Sequence, residues 1–212
     1  MAKARTPASG GRSVATIDTT PPQTGKGRGK ASAALSVPST PPSVSELVEV
    51  AAASPLLEGF PPVVAADTHT MVFGSFPGVA SLTATQYYAH PQNQFWRLLG
   101  AVLDEPLPSL PYLERLQRLL AHQIGVWDVL AACERSGSLD AAIRNASPND
   151  FAALRRRVPS LRKVCFNGKT AGRFEPVMRE AGYETLVLPS SSAANAMLSF
   201  EQKLVQWRSV ID

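Results

Sequence analysis

Residues that build metal centres and disulfide frameworks are scarce in this chain. Its 212 residues include two cysteines, Cys133 and Cys165, and three histidines, His69, His90 and His122. That set is too sparse for a structural zinc site or a disulfide-stapled fold, so the cysteines read as small buried side chains and the compartment as reducing and intracellular. Long apolar runs are missing too. No window approaches the roughly 18 unbroken apolar residues of a membrane-spanning helix. No apolar segment follows the first basic residues, as a secretory signal requires. The chain is therefore expected to be neither membrane-spanning nor secreted. Neither a Walker loop nor a GxGxxG fingerprint occurs, and there is no internal repeat. With 44% hydrophobic and 18% charged residues, the chain reads as globular. Its length suits one domain with an appendage.

Acids are nearly absent from the first 42 residues, where Asp18 stands alone against Lys3, Arg5, Arg12, Lys26, Arg28 and Lys30. The segment carries +5 of a total formal charge of +4, leaving −1 for everything after it. It also holds six of the 18 prolines and almost no large apolar side chains beyond Ile17 and Leu35. Such a stretch buries too little surface to offset its ordering entropy and is expected to be disordered. A flexible basic tail adds non-specific attraction to nucleic-acid phosphate; a purely solubilising role is the alternative. Folded structure is expected to begin between Ser43 and Val63, where Ser43 and Glu46 form a capping box for a short helix to Ala53. The chain is accordingly divided into a tail, residues 1–60, and a folded domain, residues 61–212.

After Pro61-Pro62 the pattern alternates between strand and helix. Thr70–Phe73, Ile124–Leu130, Leu161–Phe166 and Glu184–Leu188 are apolar, β-favouring runs that predict strands. Between and after them, helical spacing is found over Asn93–Leu103, from Pro111 through Leu120, from Ser147-Pro148-Asn149-Asp150 through Val158, over Lys169–Ala181, and over Phe200–Ile211. Strands separated by helices predict an α/β fold, a three-layer α/β/α sandwich around a central, mostly parallel four-stranded sheet.

In such folds the ligand sits where strands end at their carboxyl edge. Three loops stand there: Gly74-Ser75-Phe76-Pro77-Gly78, Asn167-Gly168-Lys169 and Pro189-Ser190-Ser191-Ser192. The first turns sharply and lets backbone approach a ligand. The last gathers small hydrogen-bond donors suited to phosphate or to base edges, or else caps the final helix. Between the first loop and the next helix, Gln86–Trp96 packs aromatics, a histidine and amides into eleven residues. Aromatic faces with amides suit a flat heterocycle, stacked on one surface and hydrogen-bonded at its edge. Phe95 and Trp96 also fit as ordinary core residues of the helix that Asn93 opens.

Gly74–Gly78 followed by Tyr88-Ala89-His90-Pro91-Gln92-Asn93-Gln94-Phe95-Trp96 resembles the first motif of the uracil-DNA glycosylase superfamily. The resemblance is to its mismatch-specific branch and to the hypoxanthine-DNA (deoxyinosine) glycosylases. The Gly168-Lys169 turn, the Leu188–Ser192 loop and the last helix are similar to the second half of that fold. Gly125-Val126-Trp127-Asp128 and Arg135–Asp140 are similar to the deoxyinosine branch. The resemblance spans Thr70 to Val210 and omits the tail. It implies a monomeric, monofunctional base-flipping glycosylase that needs no metal or organic cofactor. Its partner would be DNA containing a deaminated base, most specifically hypoxanthine.

The same resemblance implies roles for individual residues. Asn93 is the catalytic group, orienting a water or donating to the departing base; its alternative is a helix cap. Tyr88 stacks on the flipped base, Phe76 forms an apolar wall, and backbone N–H groups of Gly74 and Ser75 meet base or phosphate oxygen. Asp128 reads an N–H of the base, and Asn167 reads the base edge or occupies a left-handed turn. Ser190, Ser191 and Ser192 hold the phosphates beside the lesion, with Asn195 nearby, while His90 is a structural hydrogen-bonder. Two departures stand out. Phe76 replaces the water-orienting asparagine of the mismatch-specific branch, and Leu188 occupies the place of a histidine or asparagine. Excision of uracil, an inactive lesion-binding module and hydrolysis of free nucleosides remain alternative readings.

Overall fold

A computed structural model describes residues 55–212, and the basic segment and the Ser43–Ala53 helix expected before them lie outside it. Four parallel strands form the central sheet: β2 (Thr70–Gly74), β3 (Ile124–Asp128), β6 (Lys163–Asn167) and β7 (Glu184–Leu188), in the order β3-β2-β6-β7. Met71, Val72 and Phe73, Ile124 to Asp128, and Lys163 to Phe166 are buried without alternation, as strands covered on both faces require. The α/β/α expectation is met, with this sheet wholly parallel.

Register decides what the carboxyl edge presents. Gly74 pairs with Asp128, Phe73 with Phe166, and Asn167 with Leu188. Because side chains alternate along a strand, Asp128, Gly74 and Asn167 end their strands on one face. The other face carries Phe73, stacked on Phe166 (6.0 Å between centroids) and met edge-on by Phe151 (5.7 Å). Phe151 opens α4 (Phe151–Arg157), whose three arginines point to solvent. On the cavity's side, α2 (Phe95–Leu103) packs against α7 (Phe200–Trp207), with Phe95 edge-on to Trp207. The remaining helices are α1 (Val79–Ala84), α3 (Tyr112–Ala121), α5 (Lys169–Gly172) and α6 (Glu175–Glu180).

A second sheet was not anticipated. β1 (Leu56–Glu58), β4 (Leu130–Glu134) and β5 (Arg144–Pro148) form an antiparallel sheet in the order β1-β4-β5. The expected strand Ile124–Leu130 is therefore two strands that change sheets at Val129, whose N–H bonds Gly74 O as β2 ends. The boundary expected at residue 60 also moves. Leu57 pairs with Cys133, Gly59 N donates to Ala131 O, and Trp127 Nε1 donates to Phe60 O, tying residues 56–60 into the fold.

Local signals explain the other shifts. Ser147 and Pro148 finish β5, and the cap of α4 is Asp150, whose carboxylate accepts from Ala153 N at 2.9 Å. The single helix expected over Lys169–Ala181 is broken, because Pro176 has no N–H for Gly172 O and its ring crowds that carbonyl. Ser199 and Gln202 close a reciprocal capping box on α7. Cys133 and Cys165 are buried and unpaired, and burial pushes the Cys165 thiol up to about 12.

Candidate active site

The three strand-end loops enclose a cavity of about 580 Å³ at the carboxyl edge of the parallel sheet. Every residue singled out from the sequence lines it: Gly74, Ser75, Phe76, Tyr88, Asn93, Asp128, Asn167, Ser190, Ser191 and Ser192. Among the described residues no group of three His, Cys, Asp and Glu side chains is placed to hold a metal ion.

The floor depends on Gly74. A Cβ there would collide with Asp128 Oδ1 and lie 2.9 Å from Tyr88 Oη, so only glycine lets both side chains reach this point. Tyr88 itself sits in the left-handed region (φ 54°), which costs a non-glycine residue and persists only where its surroundings hold it. Here they do. Tyr87 N donates to Tyr112 Oη (2.9 Å), Ala89 N donates to Ser81 Oγ (3.2 Å), and the Tyr88 ring lies flat on Phe95, 3.7 Å between centroids and 11° from parallel. One aromatic face is thereby backed by the core.

Asn93 is oriented without ambiguity. Its Oδ1 accepts from Phe95 N (3.0 Å) and from Ser191 Oγ (2.8 Å). A backbone N–H can only donate, so Oδ1 faces the helix and the Nδ2 amino group is the uncommitted end. With both lone pairs of Oδ1 engaged, this amide is a donor toward the cavity and a poor acceptor for a water proton. The cap expected as its alternative role falls instead to Gln94, and Asn93, one residue earlier, accepts the first N–H of α2 from Phe95. Asn167 completes the network: its Oδ1 accepts from Ser191 N and its Nδ2 donates to Ser191 Oγ, both at 2.8 Å. Gln94 N bonds Ser191 O, and the buried Lys203 donates to Gln94 Oε1 at 3.0 Å.

Two expectations are corrected here. Ser191 is fully buried and its one hydroxyl proton is held by Asn93, so it is a strut for the amides and has nothing to offer a phosphate. Asn167 does not take the left-handed turn. Gly168 does (φ 98°), 2.9 Å from Ser190 Cβ by its absent Cβ. Ser190 and Ser192 differ from Ser191: their Oγ atoms accept from Ser192 N and Ala194 N, so each still has a proton to give. His90 Nδ1 accepts from Gln92 N at 3.2 Å, the structural role expected of it.

Asp128 is the one buried carboxyl of the wall, 3% exposed, and its Oδ2 has no hydrogen-bond partner. Burial, and then the nearby Asp140 carboxylate, raise it to about 7 against the opposing pull of Arg135. Tyr88 Oη is likewise without a partner at hydrogen-bond distance. Burial and the Asp128 charge push the phenol upward, so it stays protonated.

The far rim was missed from the sequence. Ser75 Oγ donates to Asp140 Oδ1 (2.8 Å), Val79 N to Ser138 Oγ (3.0 Å), and the buried Arg135 lies over the Phe76 ring while donating to Pro77 O. Leu139 projects at this mouth, 63% exposed. The arginine and serines of this segment looked family-like in the sequence, but nothing local linked them to a loop about 60 residues earlier.

A parallel α/β sandwich with a polar cavity at its strand ends and one aromatic wall defines the class. Comparison with known proteins supplies the family. The family model of the uracil DNA glycosylase superfamily matches residues 61–210, and the chain belongs to that superfamily. It is 46% identical over 138 residues to a hypoxanthine DNA glycosylase of Methanosarcina barkeri, covering 65% of this chain and 87% of that one. It is 44% identical over 152 residues to a hypoxanthine DNA glycosylase of Methanosarcina acetivorans, covering 72% and 96%. A solution NMR structure of a Methanosarcina acetivorans protein, proposed there as a uracil DNA glycosylase, superposes with a TM-score of 0.67 at 41% identity, covering 74% of this chain and 99% of that one.

Proposed function

We propose that this protein is a monofunctional DNA glycosylase that hydrolyses the N-glycosidic bond of deoxyinosine, releasing hypoxanthine. The observation that carries this reading is the Asn93 amide, locked with its acceptor inward and its donor outward. The hypoxanthine DNA glycosylases at 44–46% identity support it. The target nucleotide leaves the duplex and its base enters the cavity, stacking on the free face of Tyr88. As the bond from the sugar to the base nitrogen breaks, its electron pair goes to the base. Negative charge grows there, and the Asn93 N–H stabilises it where no solvent reorganisation is needed. Water adds its oxygen to the sugar carbon and loses a proton, and the base gains one. Phe76 excludes water from the other side.

Among the described residues no lysine lines the cavity, which favours hydrolysis over an amine adduct and strand scission. Ser190 and Ser192 hold the flanking phosphates, and backbone N–H groups of the Gly74–Gly78 loop meet base or phosphate oxygen. The protein works as a monomer on DNA inside the cell. Incubation with matched oligonucleotides carrying one deoxyinosine or one deoxyuridine, followed by alkali, tests the reading. Cleavage at inosine is expected. Cleavage at uracil alone would replace it with a pyrimidine glycosylase, and lesion binding with no abasic product would replace it with an inactive module.

A further inference from the structure

Lysine is seldom fully buried unless an acid accompanies it. Among the described residues Lys163, Arg135 and Lys203 are the buried cations. Lys163 pairs with Glu184 at 2.9 Å, and Arg135 lies over the Phe76 ring and faces the Asp128 carboxyl. Lys203, 1% exposed, is the exception. Its Nζ donates to the neutral Gln94 Oε1 at 3.0 Å, and among the described residues no carboxylate comes within ion-pair distance of it. Burial pulls this ammonium below its ordinary 10.5, so the folded chain carries the charge at a cost. Packing alone would be served better by an apolar side chain of similar length.

The charge is held at a particular place. Lys203 and Trp207 stand one turn apart on α7 and share a face. Trp207 Nε1 donates to Pro189 O at 3.0 Å, where the serine loop begins, while Lys203 holds Gln94, the residue that opens α2. Gln94 N donates in turn to Ser191 O at 2.9 Å, and Ser191 Oγ to Asn93 Oδ1. Lys203 does not line the cavity; it stands behind the neighbour of the amide that does. The start of α2 is itself positive, because its first N–H groups lack helical partners and no acid lies in its first turn. Two positive sources therefore meet beside Asn93, and neither has an acid of its own among the described residues.

We infer that Lys203 is a positioning residue for bond cleavage: through Gln94 its buried ammonium holds the start of α2 against the serine loop, and its unneutralised charge favours the anion that the departing base becomes. The inference rests on the glycosylase reading above and adds a source of leaving-group stabilisation that never touches the base. DNA phosphates are the other anions that could draw on this charge, but they are negative before and after the bond breaks. A charge serving them changes affinity, whereas a charge serving the departing base changes the rate of the chemical step.

The test uses the full chain with Lys203→Met, which keeps the length of the side chain and removes the charge. Single-turnover excision from a deoxyinosine duplex should slow about tenfold or more. Affinity for the abasic product should stay near that of the wild type, and the variant should melt at the same temperature or higher, since a buried unpaired charge is gone. A merely structural lysine predicts the opposite pairing, with stability and rate lost together. Lys203→Gln, which keeps a donor for Gln94 but no charge, should be as slow as Lys203→Met. An unchanged rate in Lys203→Met, a lowered melting temperature or failure to fold, affinity lost as far as rate, or a wild-type rate in Lys203→Gln would each overturn the inference. Absence of hypoxanthine release by the wild type would overturn the glycosylase reading itself, a distinguishable result.

Discussion

The two sides of the cavity are built on opposite terms. On one side Asn93, Ser191 and Asn167 satisfy one another almost completely, and the helix α2 and the serine loop are stitched together through them. On the other side Asp128 and Tyr88 leave buried oxygens unmet. A satisfied network is rigid and points a donor in one fixed direction. An unsatisfied acid destabilises the empty protein and holds its interaction for whatever enters. The first arrangement suits charge stabilisation during bond breaking, and the second suits recognition.

Substitutions separate the two. Asn93→Ala should have the largest effect, lowering the single-turnover rate about 10²–10³-fold while affinity for an abasic product stays near that of the wild type. An unchanged rate would break the division of labour. Ser191→Ala touches the network but no substrate. It should cost about 1–3 kcal/mol of stability and slow excision through a loosened Asn93, leaving the shape of the pH profile intact. A shifted profile would join the two sides electrostatically.

Asp128→Asn should act in the opposite direction on stability. The folded-state value, about 7, lies above the ordinary 3.8, so between these the native protein keeps a proton that the unfolded chain has lost. Stability therefore falls as pH rises from about 4 to about 7 and stays low beyond it. The variant should melt higher than the wild type on the alkaline side and show a flatter dependence on pH, measured by thermal unfolding without DNA. Deleting residues 1–42 bears on neither side. It should weaken DNA binding modestly, and more at low salt than at high salt, because released counterions drive such contacts.

The parallel four-stranded sheet was readable because it follows from local signals, and the residues that line the cavity were named from its strand-end loops and the motif resemblance. Apolar runs that break at Gly74 and at Asn167 mark strand ends, whereas the run over Ile124–Leu130 hides the end at Asp128, and a parallel sheet brings strand ends to one edge. The antiparallel sheet was not readable. β1 is only three residues long, and β5 is exposed at every position and ends in Pro148, so neither carries the alternation of a half-buried strand. The charge state of Asp128 was hidden for another reason. It depends on burial and on Asp140 and Arg135, which only the folded chain brings close. The direction of the Asn93 amide was equally hidden, since Ser191, its partner, follows it by 98 residues. Residue types named the participants; pairing across the fold decided which of them act and which only support.

Quantifying the free base released from inosine-containing duplex, together with the alkali-labile site left behind, bears most directly on the chemistry assigned to this cavity. Stoichiometric hypoxanthine and an intact strand until alkali is added are the predicted result. Strand breakage before alkali, or an inosine duplex that is bound and returned unchanged, would contradict it.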